Sequence, residues 1–144
     1  MSVADSPREF IDSNVLVYGH SATSGQRRER ASALLARLWE SETGCLSIQV
    51  LQESFVTLTR KVPEPLPSAQ AGKLVEEYGQ WTVHSPLAAD LVAAIDLSTK
   101  LRISFWDAMI LRSAHSLGCQ TLWTEDLNDG QSYAGVTVRN PFAG

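Results

Sequence analysis

The chain is poor in the residues that disulfides and soft metals need. Its 144 residues include two cysteines and three histidines. Cys45 and Cys119 lie far apart, no C-x-x-C occurs, and no Cys/His cluster has zinc-ligand spacing. A disulfide framework and a structural zinc are thereby excluded, and both cysteines read as small buried residues at strand starts. His20, His84 and His115 read as surface or satisfied core positions. Positive charge is also scarce: 12 Lys and Arg stand against 16 Asp and Glu, for a net charge of −4. That excludes a generic basic protein that coats nucleic acid, though not a local basic groove. No apolar run approaches the roughly 18 residues of a membrane helix. The opening "MSVADSPREF" has no basic region followed by a long apolar stretch, so it does not read as a secretory signal. A soluble, cytoplasmic protein without membrane contact is expected. No repeat or low-complexity tract occurs. The one linker-like stretch, "PEPLP" at 63–67, is too short to divide domains, so residues 1–144 read as a single domain.

Strand and helix signals alternate. "EFID" reads as a first strand and "NVLVYGH" as the start of a helix. "QRRERASALLARLWES" is amphipathic, with Ala31, Leu34, Leu35, Leu38 and Trp39 on one face. "GCLSI" is a second strand, followed by the helix "IQVLQESFVTLTRKV", which stops at Pro63. "SAQAGKLVEEYG" is a helix with Ser68 as its N-cap, and "QWTVH" a third strand. "PLAADLVAAIDLSTKL" places Pro86 in a first helical turn, and "SFWDAMILRSAHSLG" is a helix stopped by Gly118. "CQTLWT" and "VTVRN" complete a set of four to five strands. Strands separated by helices predict an α/β fold with a mainly parallel sheet covered on both faces. Such sheets bind ligands at the carboxyl ends of their strands.

Acidic residues collect at those ends. Asp12 ends the first strand, Asp126 and Asp129 follow the fourth in "LWTEDLNDG", Asp107 opens a helix, and Glu53 lies early in the helix after the second strand. Each has an ordinary reading. Asp12 fits an N-cap, Ser104 to Asp107 fits a capping box, Glu53 fits a solvent face beside Gln49 and Arg60, and "TEDLNDG" fits a turn. Together they carry a different implication. Two carboxylates about 4 Å apart repel by about 4 kcal/mol at an effective dielectric near 20. Several in one pocket need protonation or a cation. Oxygen ligands without His or Cys select Mg²⁺ or Mn²⁺, and such a site suits phosphoryl chemistry.

These motifs also carry a resemblance. "FIDSNVLVY", "LQESF", "FWDAMIL" and "LWTEDLNDG" resemble, in order and spacing, the four acidic motifs of PIN-domain nucleases, over nearly the whole chain. "GVTVRNPF" is similar to the ending of the ribonuclease toxins of VapBC-type toxin–antitoxin pairs. The resemblance implies a three-layer α/β/α sandwich and an acidic site in which Asp12, Glu53, Asp107 and Asp126 are catalytic. It implies Asp12, Asp107, Asp126 and Asp129 as metal ligands, with Ser13, Asn14 and Thr124 orienting the carboxylates. The implied activity is Mg²⁺- or Mn²⁺-dependent hydrolysis of an RNA phosphodiester, leaving a 5′-phosphate and a 3′-hydroxyl. The implied partners are an RNA substrate, an antitoxin protein and a second copy of the chain. Apolar excess in the helices after Asn14 and around "LQESFVTLTRKV" marks where those protein contacts are expected.

Arg27, Arg28 and Arg30 in "QRRER", with Arg60 and Lys61 at a helix end, are the candidates for tracking an RNA backbone; Arg112 is a further one. Three other readings remain open at this point. One is a stand-alone RNA-processing nuclease of the same family. Another is a doubly wound phosphohydrolase or phosphoacceptor module, against which stand the missing second Asp after Asp12 and the missing lysine after a late strand. The last is a scaffold of this fold that only binds.

Overall fold

The computed structural model describes residues 6–143. The first five residues of "MSVADSPREF", on which the reading of the N-terminus partly rests, lie outside them. The elements are β1 (Glu9–Ile11), α1 (Ser13–His20), α2 (Gln26–Ser41), β2 (Gly44–Ser47), α3 (Ile48–Arg60) and α4 (Ser68–Tyr78). They continue with β3 (Thr82–His84), α5 (Ala88–Leu101), α6 (Phe105–Ser116), β4 (Thr121–Trp123), β5 (Ser132–Tyr133) and β6 (Val136–Arg139). One sheet runs β3-β2-β1-β4-β6-β5, parallel throughout except for the β5–β6 pair. Among the described residues no helix is long and apolar enough to cross a membrane.

The strands are short, and their central residues are interior. Phe10, Ile11, Leu46, Leu122 and Val138 are fully buried, as parallel strands covered on both faces require. The chain lays down β1, β2 and β3 in one direction, then crosses to the other side of β1 for β4. The order therefore reverses at β1, which opens a crevice beyond the ends of β1 and β4. The Asp12 N–H donates to Trp123 O at 3.0 Å and fastens the two ends together.

Gly44 shows how closely β2 is packed against the segment that enters β3. A Cβ there would meet the Trp81 ring at 2.5 Å. Gly44→Ala must displace a ring that also packs on Trp39 and Tyr78. Overpacking of this kind costs about 1–3 kcal/mol. A thermal melt of the variant should show a drop of several degrees, and an unchanged midpoint would contradict the packing described.

Several local expectations are corrected. The sheet has six strands rather than four to five. The missed β5 is two residues long and joins β6 through Ala134 and Gly135, both at positive φ. An Ala-Gly turn lacks the Asn-Gly or Asp-Gly pair that announces such a hairpin. Ser68 is the first helical residue of α4, and Pro67 is the cap position. Pro86 precedes α5 by two residues; Leu87 is its N-cap, and the Leu87 N–H donates to Asp90 Oδ2 at 2.8 Å. Trp39 leaves the buried face of α2, 40% exposed, to stack against Tyr78 and Trp81. Arg112, a further candidate for RNA contact, is engaged within the fold: its Nε donates to Asp90 Oδ1 at 2.9 Å, which joins α5 to α6.

Exposed apolar side chains occur on α3 and on α5. Helix α1 is largely buried, and α3 exposes Ile48 and Val56. The larger exposed stripe runs along α5, through Leu87 (73% exposed), Leu91, Val92 and Ile95. Their i, i+4, i+5, i+8 spacing puts them on one side of the helix.

Candidate metal centre

Asp12 follows β1 directly and caps α1. Its Oδ1 accepts the Ser13 N–H at 2.7 Å and its Oδ2 accepts the Thr124 hydroxyl at 2.9 Å. Asp12 is thus both the N-cap of α1 and a member of an acidic cluster. Thr124 is fully buried. Its hydroxyl oxygen accepts the Asp126 N–H at 3.1 Å and the Asn14 amide at 3.2 Å. The same Asn14 Nδ2 donates to Asp126 Oδ2 at 3.1 Å. Thr124 and Asn14 therefore tie the end of β1 to the loop after β4 and set the Asp126 carboxylate against Asp12.

Asp107 enters from α6. Ser104 caps that helix by accepting the Asp107 N–H at 3.0 Å. Among the described residues no reciprocal bond from the Ser104 N–H to the Asp107 carboxylate completes a capping box. The carboxylate faces the other two instead. One oxygen each of Asp12, Asp107 and Asp126 lie within 4.8 Å of one another. Two of the three are held above the usual carboxylate range. Burial, reinforced by the charges of Asp126 and Glu53, pushes the Asp12 carboxyl up to about 7. Asp107 is also raised, by burial and then by Asp126.

The remaining expected residues are placed differently. Glu53 is exposed on α3, and its Oε1 accepts the Gln49 amide at 2.8 Å. Its charge reaches Asp12, but it is outside the three-carboxylate cluster. Asp129, expected as a metal ligand, also stands apart: its Oδ1 accepts the Asn140 N–H at 2.8 Å and secures the end of β6.

The basic candidates divide as well. Arg27 lies over the rings of Tyr18 (5.3 Å) and Phe142 (5.7 Å) and pairs with Glu125 at 3.6 Å. Arg30 donates to Ala143 O at 3.1 Å. These two hold the chain end and the loop of Asp126 in place. Arg28 and Arg60 are exposed, and Lys61 caps α3 beside a cavity that also touches Ser13 and Asn14. Tyr18 and Glu125 were not singled out from the sequence. The Tyr18 hydroxyl donates to Glu125 Oε1 at 2.8 Å, next to Asp126. The signal was faint: Glu125 is the middle residue of "TED", between the two residues the motif marks.

The donor set fits a hard dication. It holds oxygen atoms alone, with no His or Cys, and one of its members is a buried carboxylate whose charge is poorly tolerated without a cation. Asn14 Oδ1, buried beside the cluster, has no hydrogen-bond partner among the described residues.

A family model, the PIN domain, matches residues 10–130. No curated protein matches the chain. Among solved structures, VapC20 of Mycobacterium tuberculosis, a sarcin–ricin-loop-cleaving toxin, has a TM-score of 0.65 and 21% identity, over 82% of this chain and 91% of that one. A toxin–antitoxin complex from Klebsiella pneumoniae has a TM-score of 0.66 and 19% identity, over 93% and 98%. VapBC2 from Rickettsia felis, bound to a DNA fragment from its promoter, has a TM-score of 0.65 and 18% identity, over 92% and 97%. At these identities the likeness is one of fold.

Proposed function

The chain belongs to the PIN-domain family, and on that premise we propose that it is a divalent-metal-dependent endoribonuclease and the toxin of a toxin–antitoxin pair. The observation that carries the proposal is the meeting of Asp12, Asp107 and Asp126 within 4.8 Å at the crevice of a parallel sheet. Those three carboxylates would hold Mg²⁺ or Mn²⁺. The ion would supply positive charge to the scissile phosphate and lower the pKa of an attacking water.

The chain's own groups do the rest. Thr124, Ser13 and Asn14 fix the orientation of Asp12 and Asp126 through the bonds described, so the acidic face is set before substrate arrives. Glu53 spends Oε1 on Gln49 and keeps Oε2 to accept a proton from the water. The water oxygen attacks phosphorus, the bond from phosphorus to the 3′ oxygen breaks, and that oxygen takes a proton from solvent, so the products carry a 5′-phosphate and a 3′-hydroxyl. Cys45 and Cys119 are buried free thiols and take no part as nucleophiles.

The toxin reading draws its support from the neighbours, which include toxin–antitoxin complexes. We assign the α5 stripe to a second copy of the chain, because exposed aliphatic side chains at one helix face favour an apolar cover. Val92→Asp places a charge in that contact. Sedimentation should show a dimer for the parent and a monomer for the variant; a dimeric variant would move the interface elsewhere.

Incubation of total bacterial RNA with the protein and Mn²⁺ tests the activity. Discrete fragments with 5′-phosphates, absent with EDTA and absent for Asp12→Asn, are expected. Equal cutting by parent and variant would remove the site from the reaction. Incorporation of phosphate from a small phosphodonor would favour the phosphoacceptor reading instead.

A further inference from the structure

Beside the acidic cluster lies a cavity of about 410 Å³ between α1, the α1–α2 loop and the end of α3. We propose that this cavity seats one unpaired nucleotide of the RNA, next to the phosphodiester that is cut. The inference rests on the nuclease reading and adds a subsite to it.

Position is the first argument. Ser13 and Asn14 belong to both places: each lines the cavity, and each bonds an aspartate of the cluster. A strand whose phosphate rests on the carboxylates has its neighbouring nucleotide beside them. The volume is within the range of small-ligand sites, roughly 300–1,000 Å³.

Chemistry is the second argument. A nucleotide has a flat base with apolar faces, a polar rim, a ribose hydroxyl and an anionic phosphate. The cavity offers matching groups. Tyr18, Val62 and Pro63 form apolar wall, and Thr23, Ser24 and Thr57 bring hydroxyls. Lys61 is the one cation among the lining residues. Single-stranded RNA is recognised in this way, by aromatic contact with unstacked bases and by hydrogen bonds to base edges and the 2′-hydroxyl.

Rigidity is the third. Tyr18 is pinned at both ends: its hydroxyl is committed to Glu125, and Phe142 packs edge-on to its ring at 5.1 Å. A wall that is already fixed loses little entropy when a base meets it. The wall is also coupled to the cut site, since Glu125 is the residue before Asp126.

The test fills the cavity without touching the cluster. Thr57→Trp puts an indole into open space from the surface of α3, and Lys61→Ala removes the cation. Binding of a fluorescein-labelled single-stranded RNA of mixed sequence is followed by anisotropy in Ca²⁺, which fills oxygen sites but does not meet the strict octahedral geometry of Mg²⁺. Thr57→Trp should weaken binding by at least about tenfold, a loss of about 1.4 kcal/mol. Lys61→Ala should weaken it and make the salt dependence shallower by about 0.7 in log–log slope, one phosphate contact on a single strand. Both should keep the rise in melting temperature that Mn²⁺ gives the parent, which shows that the cluster is intact. Parent-like RNA binding by Thr57→Trp overturns the subsite and leaves the nuclease reading standing. If the parent binds Mn²⁺ but neither binds nor cuts RNA, both readings fall. Parent-like RNA binding together with lost capture of a protein partner would assign the cavity to that partner and overturn the proposal. Should Thr57→Trp misfold, an unchanged salt slope for Lys61→Ala is enough to overturn it.

Discussion

Asp107→Asn is expected to lower kcat/KM for RNA by roughly 10³-fold while leaving the fold intact. Loss of one positioned electrostatic group at a reacting centre costs about 10²–10³ in rate, and here the same change weakens the ion that the group would hold. Asp107 is the cleanest of the three carboxylates to alter. The helix cap at α6 uses the Asp107 backbone N–H and the Ser104 hydroxyl, neither of which the substitution removes. The carboxyl is raised by burial and by Asp126, so an amide relieves repulsion in the metal-free protein. The melting temperature without metal should therefore hold or rise while activity falls. Asp12→Asn is less clean, because both Asp12 oxygens accept hydrogen bonds, and an amide must turn one acceptor into a donor. Steady-state cleavage of one defined RNA, with melts of the same preparations, checks the prediction. A variant within tenfold of the parent would show that Asp107 does not share the site.

Without metal, the protein should lose stability as the pH rises from about 4 to 7. Burial takes the Asp12 carboxyl from 3.8 up to about 7 in the folded chain. Between those values the folded state keeps a proton that the unfolded state releases, so the folded state binds more protons and stability falls with rising pH. The contribution is fully present below the unfolded value and is gone above about 7. Three units at 1.36 kcal/mol each set the loss at up to about 4 kcal/mol, a large share of a domain's stability. A divalent ion reverses the trend, because it competes with the proton and binds best once Asp12 is ionised. At about 100 times its dissociation constant it restores about 2.7 kcal/mol. Melts at pH 5 and pH 8, with EDTA or with Mn²⁺, should cross: the metal should add little at pH 5 and most at pH 8. Asp12→Asn should flatten both series. A metal-free midpoint that rises from pH 5 to pH 8 would contradict this, since Asp12 would then be ionised in the folded chain.

Helix α2 was legible to the residue, Gln26–Ser41, because its apolar positions repeat with helical period. The buried strands were legible as short apolar runs between helices. The hairpin of β5 was not, since a two-residue strand carries no periodicity. Asp12, Asp107 and Asp126 could be placed at strand ends and helix starts, but their meeting depends on β1 and β4 being neighbours, and no local signal encodes that pairing. In sequence Glu53 already read as the weaker acid, beside Gln49 and Arg60, and Asp129 as a further acidic position. A turn bond to Asn140 and an exposed helix face set these two apart, and both are matters of tertiary placement. The rings beneath Arg27 were illegible for the same reason: Tyr18 and Phe142 reach it only through the fold.

The central claim is that three carboxylates form one metal centre, and anomalous diffraction from crystals soaked in Mn²⁺ tests it most directly. A single anomalous peak among the oxygens of Asp12, Asp107 and Asp126, with short oxygen contacts of about 2.1 Å, is the predicted result. A peak held by Asp129 or Glu53 without those three, or no peak in a crystal that retains the fold, would contradict it.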